Sequence, residues 1–97
     1  MSVYLIIEIK ALNPALYSQY VAKVADVVLK HGGRYLVRGG KGTTFAGDWK
    51  PERMILIEFE SMERARAWWD SPEYAPAKAI RQSCADTQLV ITEGVPA

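Results

Sequence analysis

Four charged side chains on or beside one long hairpin, Arg38, Asp48, Arg53 and Glu58, are the groups best suited to meet a small polar or carboxylate-bearing molecule. An arginine fork can grip a carboxylate through two parallel hydrogen bonds. Arg38, Tyr20 or Glu58 could also polarise or deprotonate a bound molecule. The same four charges could instead form an ion-pair network tying the hairpin to the sheet, and their spacing leaves both readings open. Aromatic residues complete the set. Trp68 stands at helical spacing from Arg64 and Ala65 and is expected in the core. Trp69 cannot share its direction, so it faces a pocket wall or a dimer contact. Tyr17 and Tyr20 carry hydroxyls that need partners if buried. The candidate ligand-binding residues are therefore Tyr20, Arg38, Asp48, Trp49, Arg53, Glu58, Trp69 and Tyr74.

Other reactive groups carry less. His31 is the only histidine, which excludes a His-rich metal site or an intrachain His pair. Near the end of the first helix it suits the negative end of the helix dipole. Gly39-Gly40-Lys41-Gly42 lacks the spacing of a phosphate loop and opens no helix, so it reads as a turn needing positive φ. Cys84 has no activating histidine beside it and reads as a packed thiol. No metal and no cofactor is expected.

The chain that must position these groups has 97 residues, enough for one domain. Twelve Lys and Arg against eleven Asp and Glu give a formal charge of +1, which carries no footprint for nucleic acid or an anionic membrane. No apolar run approaches the roughly 20 residues of a membrane span. The first residues enter a strand too soon for a signal peptide. One cysteine allows no intrachain disulfide. The expectation is a soluble, cytoplasmic protein.

Val3 to Lys10, rich in β-branched and aromatic residues, reads as a strand. Asn13-Pro14 supplies a helix start. Tyr17, Tyr20, Val21, Val24 and Val28 then fall on one stripe, and Gly32-Gly33 ends the helix. Arg34 to Arg38 is a second strand, Thr43 to Phe45 an extension of the sheet, and Gly47 to Pro51 a loop. Arg53 to Glu60 is a third strand. A helix runs from Met62 to about Asp70, helical structure restarts at Ser71-Pro72-Glu73 and continues to about Cys84, and Gln88 to Glu93 is the last strand. This order predicts an α+β, ferredoxin-like βαββαβ fold, a four-stranded antiparallel sheet with its helices on one face.

Strand alternation divides the sheet into two faces. Val3, Leu5, Ile7 and Ile9, with Ile55, Ile57, Phe59, Leu89 and Ile91, are expected under the helices. The other face collects Tyr4, Ile6, Glu8, Met54, Leu56, Glu58, Gln88, Val90 and Thr92, to which the second strand adds Arg34, Leu36 and Arg38. Arg38 is expected to pair there with Glu58 or Glu8. This face is too apolar for open water. A second subunit covering it under two-fold symmetry resolves the problem, so a homodimer is expected.

Gly32-Gly33-Arg34-Tyr35-Leu36, Arg38-Gly39-Gly40, Gly47-Asp48-Trp49, Ile57-Glu58-Phe59, Ala67 to Tyr74 and Glu93-Gly94 stand in a characteristic order. Together they resemble a bacterial domain-of-unknown-function family of the dimeric α/β-barrel superfamily, over nearly the whole chain. The resemblance implies two ferredoxin-like protomers whose sheets meet as a barrel. Superfamily relatives include cofactor-free monooxygenases, haem-degrading enzymes, small isomerases and stress-response proteins, so the fold does not choose the function. The chain departs from the family's usual pattern at Ala46, often Glu, and at Trp69, often Tyr. Two classes remain. One is a dimer binding a small organic molecule between sheet and helices, with or without turnover as a cofactor-independent oxygenase or isomerase. The other is a non-catalytic stress or interaction module.

Overall fold

The apolar sides of three of the four strands end up beneath the helices. The computed structural model describes residues 1–96. Its elements are β1 (Val3–Ala11), α1 (Pro14–Lys30), β2 (Arg34–Gly40), β3 (Met54–Phe59), α2 (Met62–Trp69), α3 (Ala75–Cys84) and β4 (Ala85–Glu93). The strand order is β2-β3-β1-β4, with each neighbouring pair antiparallel. This is the ferredoxin-like arrangement, with the second crossover broken into α2 and α3. Along β1, Val3, Leu5, Ile7 and Ile9 are buried while Tyr4, Ile6 and Glu8 are half-buried. The α1 stripe of Tyr17, Tyr20, Val24 and Val28 covers the buried side.

Local chemistry starts the helices where the residues call for it. The Asn13 side chain accepts from the Leu16 N–H at 3.1 Å, with Pro14 in the first helical turn. Ser61 Oγ does the same for the Arg64 N–H at 3.2 Å. Ser71-Pro72-Glu73, expected to begin a helix, is instead a turn, and α3 starts only at Ala75. Ser71 explains the delay. Its hydroxyl donates to the Trp68 carbonyl at 2.9 Å and accepts from the Tyr74 N–H at 3.1 Å, fixing a bend between α2 and α3. Thr43 to Phe45 does not extend the sheet; it is irregular, and the Phe45 side chain is 98% exposed. β4 begins three residues before the expected Gln88, because Ala85, Asp86 and Thr87 pair with Ala11, Lys10 and Ile9.

Gly33 marks the closest approach between layers. A Cβ there would lie 2.6 Å from Val28 Cγ1 and 2.8 Å from Phe59 Cζ, both buried. Gly33→Ala is therefore expected to cost about 1–3 kcal/mol through overpacking. A urea titration reads the loss, and an unshifted midpoint would mean that the neighbours yield freely.

The largest departure from the expected faces is in β2. Arg34 opposes Glu58 and Tyr35 opposes Ile57, but it is Val37 that opposes Leu56 and Arg38 that opposes Ile55. Leu36 is thus an extra residue, and strict alternation fails there because a bulge shifts every later side chain by one place. Arg38 consequently lies on the helix side with Ile55, not on the outer face. A second irregularity follows at Gly39, whose φ of 83° suits glycine. The expected pairing of Arg38 with Glu58 or Glu8 is not made. Glu58 accepts from Arg34 Nη2 at 2.7 Å and from the Tyr4 hydroxyl at 2.9 Å, on the outer face.

Candidate functional site

Displacing Arg38 inward brings it to the rim of a cavity of about 290 Å³ between the sheet and the helices. The floor is aliphatic: Ile7 and Ile9 from β1, Ile55 and Ile57 from β3, and Leu89 from β4. The α1 side chains Tyr17, Tyr20, Val21 and Val24 form the opposite wall, with Tyr35 of β2 and Trp68 of α2. Three guanidinium groups line the same space, those of Arg38, Arg53 and Arg81, with no carboxylate and no histidine among the lining residues. Each arginine comes from a different part of the fold. Arg53 stands just before β3, held to the sheet where its carbonyl accepts from the Ile9 N–H at 3.1 Å. Arg81 belongs to α3.

The arginines differ in depth. Arg38 and Arg53 are exposed, and their guanidinium carbons lie 5.0 Å from the Tyr35 ring and 5.5 Å from the Tyr17 ring. Arg81 is only 7% exposed and lies 5.7 Å from the Trp69 ring. Its Nε–H is buried without an acceptor, as are Trp68 Nε1 and Thr87 Oγ1, both also in the cavity wall. No ion pair engages Arg38, Arg53 or Arg81 among the described residues. Unsatisfied buried donors are rare in folded proteins. Three of the four buried, unsatisfied side-chain atoms among the described residues gather around this one space, and the fourth, His31 Nε2, lies elsewhere.

The phenols are tuned as donors. Burial pushes Tyr20 well above the usual phenol range, and its neighbour Tyr74, with the hydroxyls 3.2 Å apart, adds to the shift. Tyr35 is pushed up to about 12, mainly by burial and against the pull of Arg38. Tyr17 is raised by burial, with Arg53 opposing. At neutral pH all three keep their protons and cannot serve as bases. Because the folded values exceed the unfolded value of about 10, the folded state holds more protons above that pH, and stability falls as pH rises. Tyr20 and Tyr35 are each expected to remove up to about 1.4 kcal/mol per pH unit above pH ~10, for Tyr35 only until its folded value of about 12 is reached. Urea midpoints taken at pH 9, 10 and 11 check this, with Tyr20→Phe flattening the slope.

Of the candidate residues, Tyr20, Arg38 and Arg53 meet at this cavity. Tyr74 is fully buried behind Tyr20, and Trp69 stacks beside it at 5.8 Å, with Lys78 Nζ 4.1 Å from the Trp69 ring. Asp48 and Trp49 do not reach the cavity. Asp48 is exposed in the loop, and Trp49 leans over the outer face near Ile6 and Val90. Glu58 is held on that outer face as well. Trp68 is in the core as expected, 4.4 Å from the Tyr74 ring. His31 caps α1, with Nε2 at 3.7 Å from Glu73 Oε1, and Cys84 is buried. Arg81 is the residue that sequence reasoning missed. Its signal was present: Tyr74, Ala77, Arg81 and Cys84 are one buried helical stripe, and a charge on such a stripe marks a buried polar site.

Among the described residues no helix is long and apolar enough to cross a membrane. Several solved structures share the fold. A protein of unknown function from Rhodopseudomonas palustris superposes with a TM-score of 0.81 at 16% identity, covering 99% of this chain and 84% of that one. SnoaB, a cofactor-independent oxygenase from Streptomyces nogalater, matches with a TM-score of 0.70 at 13% identity over 99% of this chain and 95% of its own. A dimeric ferredoxin-like protein of unknown function from Thermobifida fusca matches with a TM-score of 0.63 at 15% identity over 95% and 90%. No curated protein matches the sequence. A family model described as a domain of unknown function, DUF1330, matches residues 2–95.

Proposed function

The chain belongs to the DUF1330 family, whose description assigns no activity, and from that premise we propose that it binds a small carboxylate-bearing organic molecule between its sheet and its helices. The observation that carries this reading is the charge of the cavity: three arginines and no carboxylate in the wall. Guanidinium groups stay charged at any physiological pH. A space lined by them and by protonated phenols favours an anion rich in acceptor oxygens. The aliphatic and aromatic walls suit an apolar or planar body behind that anion. Arg38, Arg53 and Tyr20 are the contacts we assign to the ligand, with Tyr74 holding Tyr20 in place.

Turnover is a second reading with its own physical support. Clustered arginines would stabilise the enolate or phenolate of a bound molecule and so ease its ionisation. The oxygenase with the same fold makes oxygen consumption the natural assay. The module reading is weaker, since a protein with no small-molecule role has no use for an unpaired charge at Arg81.

The protein is also proposed to be a homodimer joined through the outer sheet face, closing a barrel. Tyr4, Ile6, Met54 and Leu56 are only half-buried there, and Val90 is 58% exposed. Proteins of this fold from Thermobifida fusca and Jannaschia are described as dimeric. We assign it to the cytoplasm, where a lone thiol such as Cys84 stays reduced.

Native mass spectrometry on gently purified protein tests the binding and the assembly together. The expected spectrum is a dimer retaining an organic acid. If the protein is invariably empty, and saturating carboxylates shift neither mass nor melting temperature, the binding proposal fails.

A further inference from the structure

We infer that the cavity takes a small dicarboxylate, with one carboxylate at the Arg38–Arg53 rim and the other at the buried Arg81. This deepens, and rests on, the reading of the cavity as a carboxylate site. The rim arginines are neighbours: a Cβ placed on Gly39, the residue after Arg38, would lie 3.7 Å from Arg53 Cδ. Both are exposed, and one carboxylate can bridge two such forks. Arg81 differs from them in its element and its depth. It projects from α3, a helix that packs on α1, and it is buried where they are open.

A buried guanidinium needs a counter-charge, because it cannot shed its proton as a buried lysine can. The fold supplies none from the described residues. The groups nearest in influence are the Tyr17 and Tyr20 phenols, which burial keeps neutral. The Trp69 ring at 5.7 Å offers a face but no charge. The unmet atoms in the same wall are Arg81 Nε–H and Trp68 Nε1–H, which can only donate, and the Thr87 hydroxyl, which can do either. A second carboxylate answers both the charge and the donors. The same lining also includes Ile7, Ile57, Val24 and Leu89, which asks for an apolar or aromatic body joining the two carboxylates.

Matched pairs of acids test this by calorimetry at neutral pH: isophthalate against benzoate, and adipate against hexanoate. In the wild-type protein at least one diacid is expected to bind ten-fold or more tighter than its monoacid. In Arg81→Met that ratio is expected to fall to about one. Equal affinity for diacid and monoacid in the wild type would overturn the dicarboxylate assignment and leave the carboxylate site standing. If no acid of either pair binds at millimolar concentration, the site reading itself falls, and this inference with it. Should Arg81→Met fail to fold, the wild-type ratios decide alone, and Arg81→Lys, which keeps charge but loses the fork, is expected to show a reduced ratio.

Discussion

The double variant Arg38→Ala with Arg53→Ala is expected to bind isophthalate at least 100-fold more weakly than the wild type. Each guanidinium offers the ligand a charge-assisted hydrogen bond, and losing one costs about 1.5–3 kcal/mol. Both side chains are exposed in the free protein, so solvent screens part of the attraction, and about 1.5 kcal/mol each is the appropriate end of that range. Two such losses come to about 3 kcal/mol, or slightly more than 100-fold. The single variants need not add up, since the two groups share one carboxylate. Folding is not at risk, because neither residue belongs to the buried core. Isothermal titration calorimetry reads the result. Unchanged affinity in the double variant would remove both arginines from the site, whatever Arg81 does.

Leu56→Arg is expected to turn a dimer into a folded monomer. Leu56 opposes Ile6 on β1 and Val37 on β2, which puts it near the middle of the outer sheet face. Two-fold symmetry would bring two new guanidinium groups to one interface, each losing water and facing a like charge. Burying an unpaired charge costs about 3–5 kcal/mol, and two of them together rival the roughly 8 kcal/mol that holds a complex of micromolar affinity. The monomer should still fold, because Leu56 is only half-buried and lies opposite the helix-covered core. Light scattering at micromolar protein, with a urea titration beside it, separates the two effects. A dimer that persists in both Leu56→Arg and Met54→Glu moves the interface to another surface. Glu58 already pairs with Arg34 and Tyr4 on this face, so its own charge would enter the interface neutralised.

The sequence by itself determined much of this protein. Apolar alternation in β1, β3 and β4 fixed which face lies under the helices, because a strand exposes its side chains with period two. The stripe from Tyr17 to Val28 and the Asn13-Pro14 start defined α1, because both signals are local. The order of elements then left the ferredoxin-like arrangement, and the resemblance to a family of unknown function agrees with the family model that matches residues 2–95. Arg53 and Tyr20, picked out by residue type, both line the cavity.

Only the tertiary structure decided which arginines face the cavity. Counting by twos put Arg38 on the outer face beside Glu58; the bulge at Leu36 put it inside. A bulge depends on how two distant strands pair, so neither strand carries it alone. Asp48, Trp49 and Glu58 looked like companions of Arg38 because they lie near the same hairpin in sequence, yet Trp49 and Glu58 end on the other side of the sheet and Asp48 stays exposed in the loop. Arg81 shows the converse. Its place on a buried stripe could be read locally, but its significance appeared only when α3 packed against α1 and left that charge facing an open space with no carboxylate in its wall. Periodicity tells which way a side chain points; only packing tells what it finds there.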